Sequence, residues 1–266
     1  MVTIKQLMNL KGRRALITGA TGGIGRKIAE TIAELGGDIV LVDQPGSSFK
    51  SLLEKIKMVS DVDVDVFECD LESKTERIAL VDYMINNQKG LDILINNAAF
   101  VGTSNLQGWN TKFEEQSVGT WTRALEVNLT AVFDLTKGLS PMLKINGNGS
   151  IINIASIYGV CGPDYTLYEG TSMGSPAAYA ASKGGLIQLT RWLSTTLAPE
   201  VRVNCISPGG VFRNQPESFV VRYEKNTPLK RMAIEDDFKG VTAYLASDLS
   251  QYMTGQNLLV DGGWTV

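Results

Sequence analysis

Short apolar runs alternate with helical patterns along the whole chain, and this alternation constrains the fold more than any other feature. Seven runs read as strands, at residues 13–18, 38–42, 64–68, 92–95, 150–154, 201–206 and 257–260. Helical patterns separate them, notably 25–35, 121–143 and 178–197. Strands that are apolar on nearly every residue must be covered on both faces, which is the signature of a parallel sheet with helices on either side. Right-handed crossovers then wind such a chain into an α/β, doubly wound seven-stranded parallel sheet. No linker or repeat interrupts the alternation, so residues 1–266 read as a single domain. Two stretches, 161–176 and 209–232, read as long loops, and long loops in a compact domain usually carry function or motion.

The 266 residues are 44% hydrophobic and 20% charged. A chain of that size buries roughly three quarters of its unfolded surface, so it needs no metal or disulfide staple. Its net charge of -3 gives no reason to expect a nucleic acid or an anionic membrane as partner. No stretch approaches the ~20 apolar residues of a membrane span, and residues 1–11 show no cleavable leader. The three cysteines, Cys69, Cys161 and Cys205, have neither disulfide nor metal-ligand spacing, so no metal site is expected. A cytoplasmic protein is the natural expectation. There is no histidine, which excludes His-assisted nucleophiles and His-liganded zinc. Proton transfer must fall to Tyr, Lys, Cys or a carboxylate.

The first strand runs into Thr18-Gly19-Ala20-Thr21-Gly22-Gly23-Ile24-Gly25. Glycines permit a tight turn and a close backbone approach, and a helix opening here aims free N–H groups and its positive dipole end outward. A strand, a glycine turn and a helix in that order suit a pyrophosphate. Gly19, Thr21, Gly23, Ile24 and Gly25 are the candidate contacts. Asp43 closes the second strand 18 residues after Gly25. A carboxylate there accepts from an adenosine ribose and repels a 2′-phosphate, so NAD is expected over NADP. Arg26 and Lys27 are the nearby cations that would oppose this expectation. Asp70 and Leu71 follow the third strand, and Asn97 and Ala98 the fourth. Ligands of such sheets bind beyond the carboxyl ends of the strands. Asn97 reads as a structural turn residue and Ala98 as backbone beside the cofactor.

Tyr179 and Lys183 stand four apart at the opening of the helix after the fifth strand, whose end carries Ser156. They share a helix face. A phenol is a poor base at neutral pH, but neighbouring positive charge stabilises the phenolate and makes it a usable acid/base.

In this order, Thr18-Gly19 with Gly23 and Gly25, Asn96-Asn97-Ala98, Asn128, Ser156, Tyr179-x-x-x-Lys183 and Pro208-Gly209 resemble the short-chain dehydrogenase/reductase family, across residues 11–266. The resemblance implies a Rossmann-type sheet. It implies that Tyr179 is the acid/base, that Ser156 hydrogen-bonds the substrate oxygen, and that Lys183 holds the nicotinamide ribose and tunes Tyr179. Asn128 would anchor a water in a proton relay. The backbone at Pro208, Gly209 and Val211 would lie along the nicotinamide. The activity implied is hydride transfer between NAD(H) and a secondary alcohol or carbonyl, with a homotetramer or homodimer as the assembly. Alternatives of the same fold are an NADPH-dependent ketoreductase acting on an acyl-chain ketone, an epimerase or dehydratase, and a non-catalytic dinucleotide-binding regulator.

Two departures from the family pattern stand out. The 23 residues between Ser156 and Tyr179 make a longer connection than usual, and the extra length falls in 161–176. Pro163, Asp164 and Gly170 argue for turns there rather than a helix. Arg213 stands where the family commonly has threonine, so it is expected to meet either the pyrophosphate or an acidic substrate. The loop 209–232, which resembles the family's mobile substrate loop and would form a lid, carries Arg213, Arg222, Lys225, Lys230 and Arg231 against Glu217 and Glu224. That excess of positive charge marks Arg213 and Arg222 as candidate anchors for an anionic or sugar-like small-molecule substrate.

Overall fold

The computed structural model describes residues 2–101 and 106–266. The chain begins with α1 (Ile4–Met8), where Thr3 caps the helix through its hydroxyl and Gln6 bonds back to the Thr3 N–H. There follow β1 (Arg14–Thr18), α2 (Gly23–Glu34), β2 (Asp38–Asp43), α3 (Lys50–Val59), β3 (Val64–Glu68), α4 (Lys74–Asn86) and β4 (Ile93–Asn96). The second half comprises α5 (Val118–Leu125), α6 (Ala131–Lys144), β5 (Gly149–Ile154), α7 (Ala177–Thr196), β6 (Val201–Pro208), α8 (Glu217–Asn226), α9 (Lys239–Ala246) and β7 (Asn257–Val260). The strands form one sheet in the order β3-β2-β1-β4-β5-β6-β7, every neighbouring pair parallel. All seven expected strands are present, within a residue or two at each end.

The five inner strands bury both of their faces, as their apolar runs require, whereas the edge strands β3 and β7 are only partly covered. Ile17, Ile39, Leu41 and Ile95 point to one side, against Ile28 and Ile32 of α2, Leu52 of α3 and Leu245 of α9. Leu16, Val40, Val42 and Leu94 point to the other, against Leu80 of α4, Leu135 and Leu139 of α6 and Leu193 of α7. Alternate residues of one strand thus feed two separate cores. Strand order reverses between β1 and β4, which opens a crevice at their carboxyl ends.

The helix expected over 121–143 forms, but not as one regular element. It starts at Val118, and a π-helical turn, Glu126–Thr130, joins α5 to α6. Such widened turns often serve a function. Here the turn carries Asn128, 1% exposed, whose amide bonds to the backbone of Phe100 and to the hydroxyl of Ser182 on α7.

Turns dominate 161–176, as expected, with one short 3₁₀ helix, Tyr165–Tyr168, capped by Asp164. This segment leans on α8. Leu167 shares an apolar cluster with Phe219, Tyr223 and Met232, and Tyr168 packs against Phe219. The loop and the lid helix are therefore one packed unit.

A close backbone approach sits beneath α7. A Cβ placed on Gly159 would lie 2.7 Å from the carbonyl carbon of Lys183 and 2.8 Å from its oxygen. Backbone cannot yield as a flexible side chain does. Gly159→Ala is expected to destabilise the protein by about 1–3 kcal/mol in urea unfolding.

Candidate functional site

A cavity of about 500 Å³ opens along the carboxyl ends of the central strands. Its first half is built on the glycine turn. Gly19 takes a positive φ of 64°, and a Cβ there would press to 2.8 Å on Cα of Ala98. A Cβ on Gly25 would fall on the Gly19 carbonyl oxygen. These absent side chains let β1, α2 and the end of β4 converge. Asn97 stitches the junction, donating through Nδ2 to the carbonyls of Thr18 and Gly19 at 2.9 Å. The Thr18 hydroxyl accepts from the N–H groups of Asn97 and Ala98. Gly22 caps α2 without a side-chain hydrogen bond, so the helix keeps donors available for an anion.

Asp43 ends β2 at the cavity wall. Its Oδ2 accepts from the N–H and hydroxyl of Thr21, at 2.8 and 2.7 Å, and its Oδ1 accepts from the Gln44 N–H. Both nearby cations are held by protein groups. Arg26 donates to the Thr21 carbonyl and to Ser51, and Lys27 pairs with Glu30 and Asp236. Neither lines this cavity. Thr21, Gly23, Ile24, Leu71 and Ala98 all line it.

Asp70 does not. Its carboxylate accepts from the Glu72 N–H and its own N–H donates to Glu76, so it serves the turn into α4. Cys69 and Leu71 form the wall there instead. Strand-end position is the only signal in the sequence that marks Cys69, whose thiol burial pushes up to about 12. Val101, Val127, Ala155 and Gln215 also line the cavity unannounced. Only the fold brings them there.

The second half holds Ser156, Tyr179 and Lys183, with Pro208, Gly209 and Val211 opposite. Ser156 lies just beyond β5, and its Oγ accepts from the Tyr158 N–H at 3.2 Å. Tyr179 and Lys183 occupy the first turns of α7 and share a face. Lys183 is 1% exposed, and its Nζ donates to the Ile154 carbonyl at 2.7 Å. The Nζ lies 5.7 Å from the centroid of the Tyr179 ring. Burial pushes the Lys183 ammonium down to about 8. Burial pushes the Tyr179 phenol up, opposed by a hydrogen bond with Ser156 and by the positive charge of Arg213.

Asn128 lies behind this face rather than on the cavity wall. It bonds Ser182, whose hydroxyl donates to the Tyr179 carbonyl at 2.8 Å. The two substrate candidates separate. Arg213 lines the cavity, whereas Arg222 does not. Arg222 donates to the carbonyls of Leu167 and Glu169, fastening α8 to the 161–176 loop. The lid's positive charge is also partly neutralised from outside it, since Arg213 pairs with Glu235 and Arg231 with Asp237.

Sheet order, glycine turn and Ser-Tyr-Lys grouping together are those of an oxidoreductase that binds a nicotinamide dinucleotide. The chain belongs to the short-chain dehydrogenase/reductase family; a family model described as enoyl-(acyl carrier protein) reductase matches residues 19–265. It is 31% identical over 265 residues to the probable galactose dehydrogenase GalD of Rhizobium meliloti (strain 1021), covering 97% of each chain. A short chain dehydrogenase from Leptospira borgpetersenii serovar Hardjo-bovis (strain JB197), solved with bound NAD+, superimposes with a TM-score of 0.84 at 34% identity, covering 100% of this chain and 98% of that one. The NADPH-dependent 3-quinuclidinone reductase of Rhodotorula rubra superimposes with a TM-score of 0.87 at 25% identity, covering 100% and 96%. Among the described residues no helix is long and apolar enough to cross a membrane.

The depressed Lys183 ammonium has a measurable consequence. A lysine whose folded value lies below its unfolded value destabilises the fold while protonated, and the penalty is relieved as pH rises between the two values. The stability of the ligand-free protein relative to Lys183→Met should therefore rise between pH about 8 and the ordinary lysine value of 10.5. Urea titrations of both proteins at pH 7, 9 and 10 check this.

Proposed function

We propose that this chain is an NAD(H)-dependent enzyme that interconverts a secondary alcohol and a carbonyl on a polar, sugar-like small molecule. The observation that carries the cofactor choice is Asp43, a carboxylate on the cavity wall at the end of β2, with neither Arg26 nor Lys27 lining the cavity. The cradle fits a dinucleotide: Gly19 and Gly25 have no room for a side chain, α2 has free N–H groups, and Asp43 stands where an adenosine ribose would be held. The glycine turn and α2 would hold the diphosphate, and Lys183 the ribose on the nicotinamide side. When bound, the nicotinamide supplies or accepts the hydride.

The chain's own residues do the rest. In oxidation, the Tyr179 oxygen takes the hydroxyl proton of the alcohol; in reduction it returns one to the carbonyl oxygen. The Ser156 hydroxyl donates to the same substrate oxygen and stabilises charge as it develops. Lys183, held by the Ile154 carbonyl, keeps a positive charge below Tyr179. Asn128 acts through Ser182, fixing the first turn of α7 on which Tyr179 stands. The likeness to a probable galactose dehydrogenase supports a polyhydroxylated substrate. Commitment of Arg222 to the 161–176 loop favours a neutral polar substrate over an anionic one.

Nicotinamide absorbance with a panel of sugars, polyols, alcohols and ketones tests this reading. Turnover should be found with NAD or NADH, and Tyr179→Phe should lower it by about 10²–10⁴-fold. NADH should bind more tightly than NADPH, and Asp43→Ser should narrow the gap. Tighter binding of NADPH by the wild type would overturn the cofactor choice.

A dimer or tetramer belongs to the same reading. Trp121 and Phe133, on α5 and α6, and Trp192 on α7 leave large apolar surface exposed. A cytoplasmic location fits three cysteines that form no disulfide. Light scattering at micromolar concentration should return a mass at least twice 28.8 kDa.

A further inference from the structure

The acidic run Glu235-Asp236-Asp237, in a 3₁₀ turn, holds three cations, two on the lid and one on α2. Asp237 holds Arg231 at the end of the lid with two hydrogen bonds. Asp236 holds Lys27 on α2 at 3.1 Å. Glu235 holds Arg213 at the start of the lid, Oε1 to Nε at 3.2 Å. The first two pairs tie surface segments together. The third lies somewhere else altogether.

The Arg213–Glu235 pair rests on the first residue of α2. A Cβ on Gly23 would come within 2.5 Å of Glu235 Oε1 and 2.8 Å of Arg213 Nη2. Gly23 is thus bare where two charged groups lie against the first turn of a twelve-residue helix with no side-chain cap. Arg213 lines the cavity; Glu235 lies outside it, in a shallower recess beside Arg26 and Lys27. The Arg213 backbone is braced in place. Its N–H donates to Gln215 Oε1 at 2.7 Å, and Gln215 Nε2 donates back to the Val211 carbonyl at 2.8 Å. The side chain is half exposed and free to turn about that fixed point.

From this geometry we infer that Arg213 is a diphosphate-binding residue of the cofactor site, and that Glu235 is the internal anion it must leave when the dinucleotide binds. The inference rests on the dinucleotide reading given above. Two anions at one helix terminus repel each other, and both favour the same guanidinium. A diphosphate offers bidentate geometry that Arg213 does not have with Glu235, where only Nε is engaged. Glu235 therefore competes with the cofactor for Arg213, and exchange turns the Arg213 side chain onto the bound dinucleotide. Arg213 serves the cofactor, so the position gives no preference for an acidic substrate.

Binding, not turnover, tests this. Calorimetric titration with NADH and with ADP-ribose compares two ligands that share the diphosphate but not the nicotinamide. Arg213→Gln should weaken both by about tenfold, and Arg213→Lys should recover part of the loss. Glu235→Gln, which leaves Arg213 in place, should tighten both about threefold. ADP-ribose affinity within twofold of wild type in Arg213→Gln would overturn the inference. So would a loss confined to NADH, which would put Arg213 at the nicotinamide, or an unchanged or weaker affinity in Glu235→Gln. A wild type that binds neither ligand would instead overturn the dinucleotide reading itself.

Discussion

The convergence of three backbone segments at Gly19 holds the two halves of this protein in register. β1, the first turn of α2 and the segment after β4 meet where Gly19 and Gly25 have no room for a side chain and the backbone of Ala98 lies against Gly19. Asn97 satisfies the carbonyls that the turn leaves open, and Thr18 satisfies the N–H groups on the other side. Buried backbone polar groups must be paired. Here the pairing also sets the distance between the cofactor turn and the central strand that follows the reversal. This junction lines the crevice that the reversal of strand order opens.

α7 brings the second half of the site to the first. Its fold is constrained from below by Gly159, which lets the backbone at Lys183 sit close to the turn after β5. The π turn at Glu126–Thr130 supports it from the side, through Asn128 and Ser182. The buried lysine is held by the Ile154 carbonyl rather than by a carboxylate. That arrangement keeps an ammonium in a poorly solvated place, where its charge acts strongly on neighbouring groups.

The lid joins the site through packing and ion pairs. Arg222 and Tyr168 merge α8 with the 161–176 loop, so the length between Ser156 and Tyr179 packs against α8 as one unit. The charges that looked like a reception for an anion are mostly spent on this assembly. Arg231 answers Asp237, Arg222 answers backbone carbonyls, and Lys230 answers the Lys225 carbonyl. A charge count along a loop cannot see partners that arrive from outside it.

Much was legible in the sequence because it is local. Strand positions follow from runs that must bury two faces, and the glycine turn, Asp43 and the Tyr179–Lys183 spacing are short-range patterns whose chemistry is contained in a few neighbouring residues. Alternation of strand and helix then leaves little choice of sheet, given the hand of the crossovers. The rest required distance information. Asp70 turned away because Glu72 and Glu76 supply nearer partners, while Cys69 and Gln215 reached the cavity from elements whose meeting no local pattern records. The π turn under Asn128 depends on a hydrogen bond to a helix 54 residues on. Arg213 and Glu235, 22 residues apart, meet on a glycine near the other end of the chain. Local patterns determine elements and their chemistry; which side chains share a charge or a cavity wall is decided only when packing brings remote segments together.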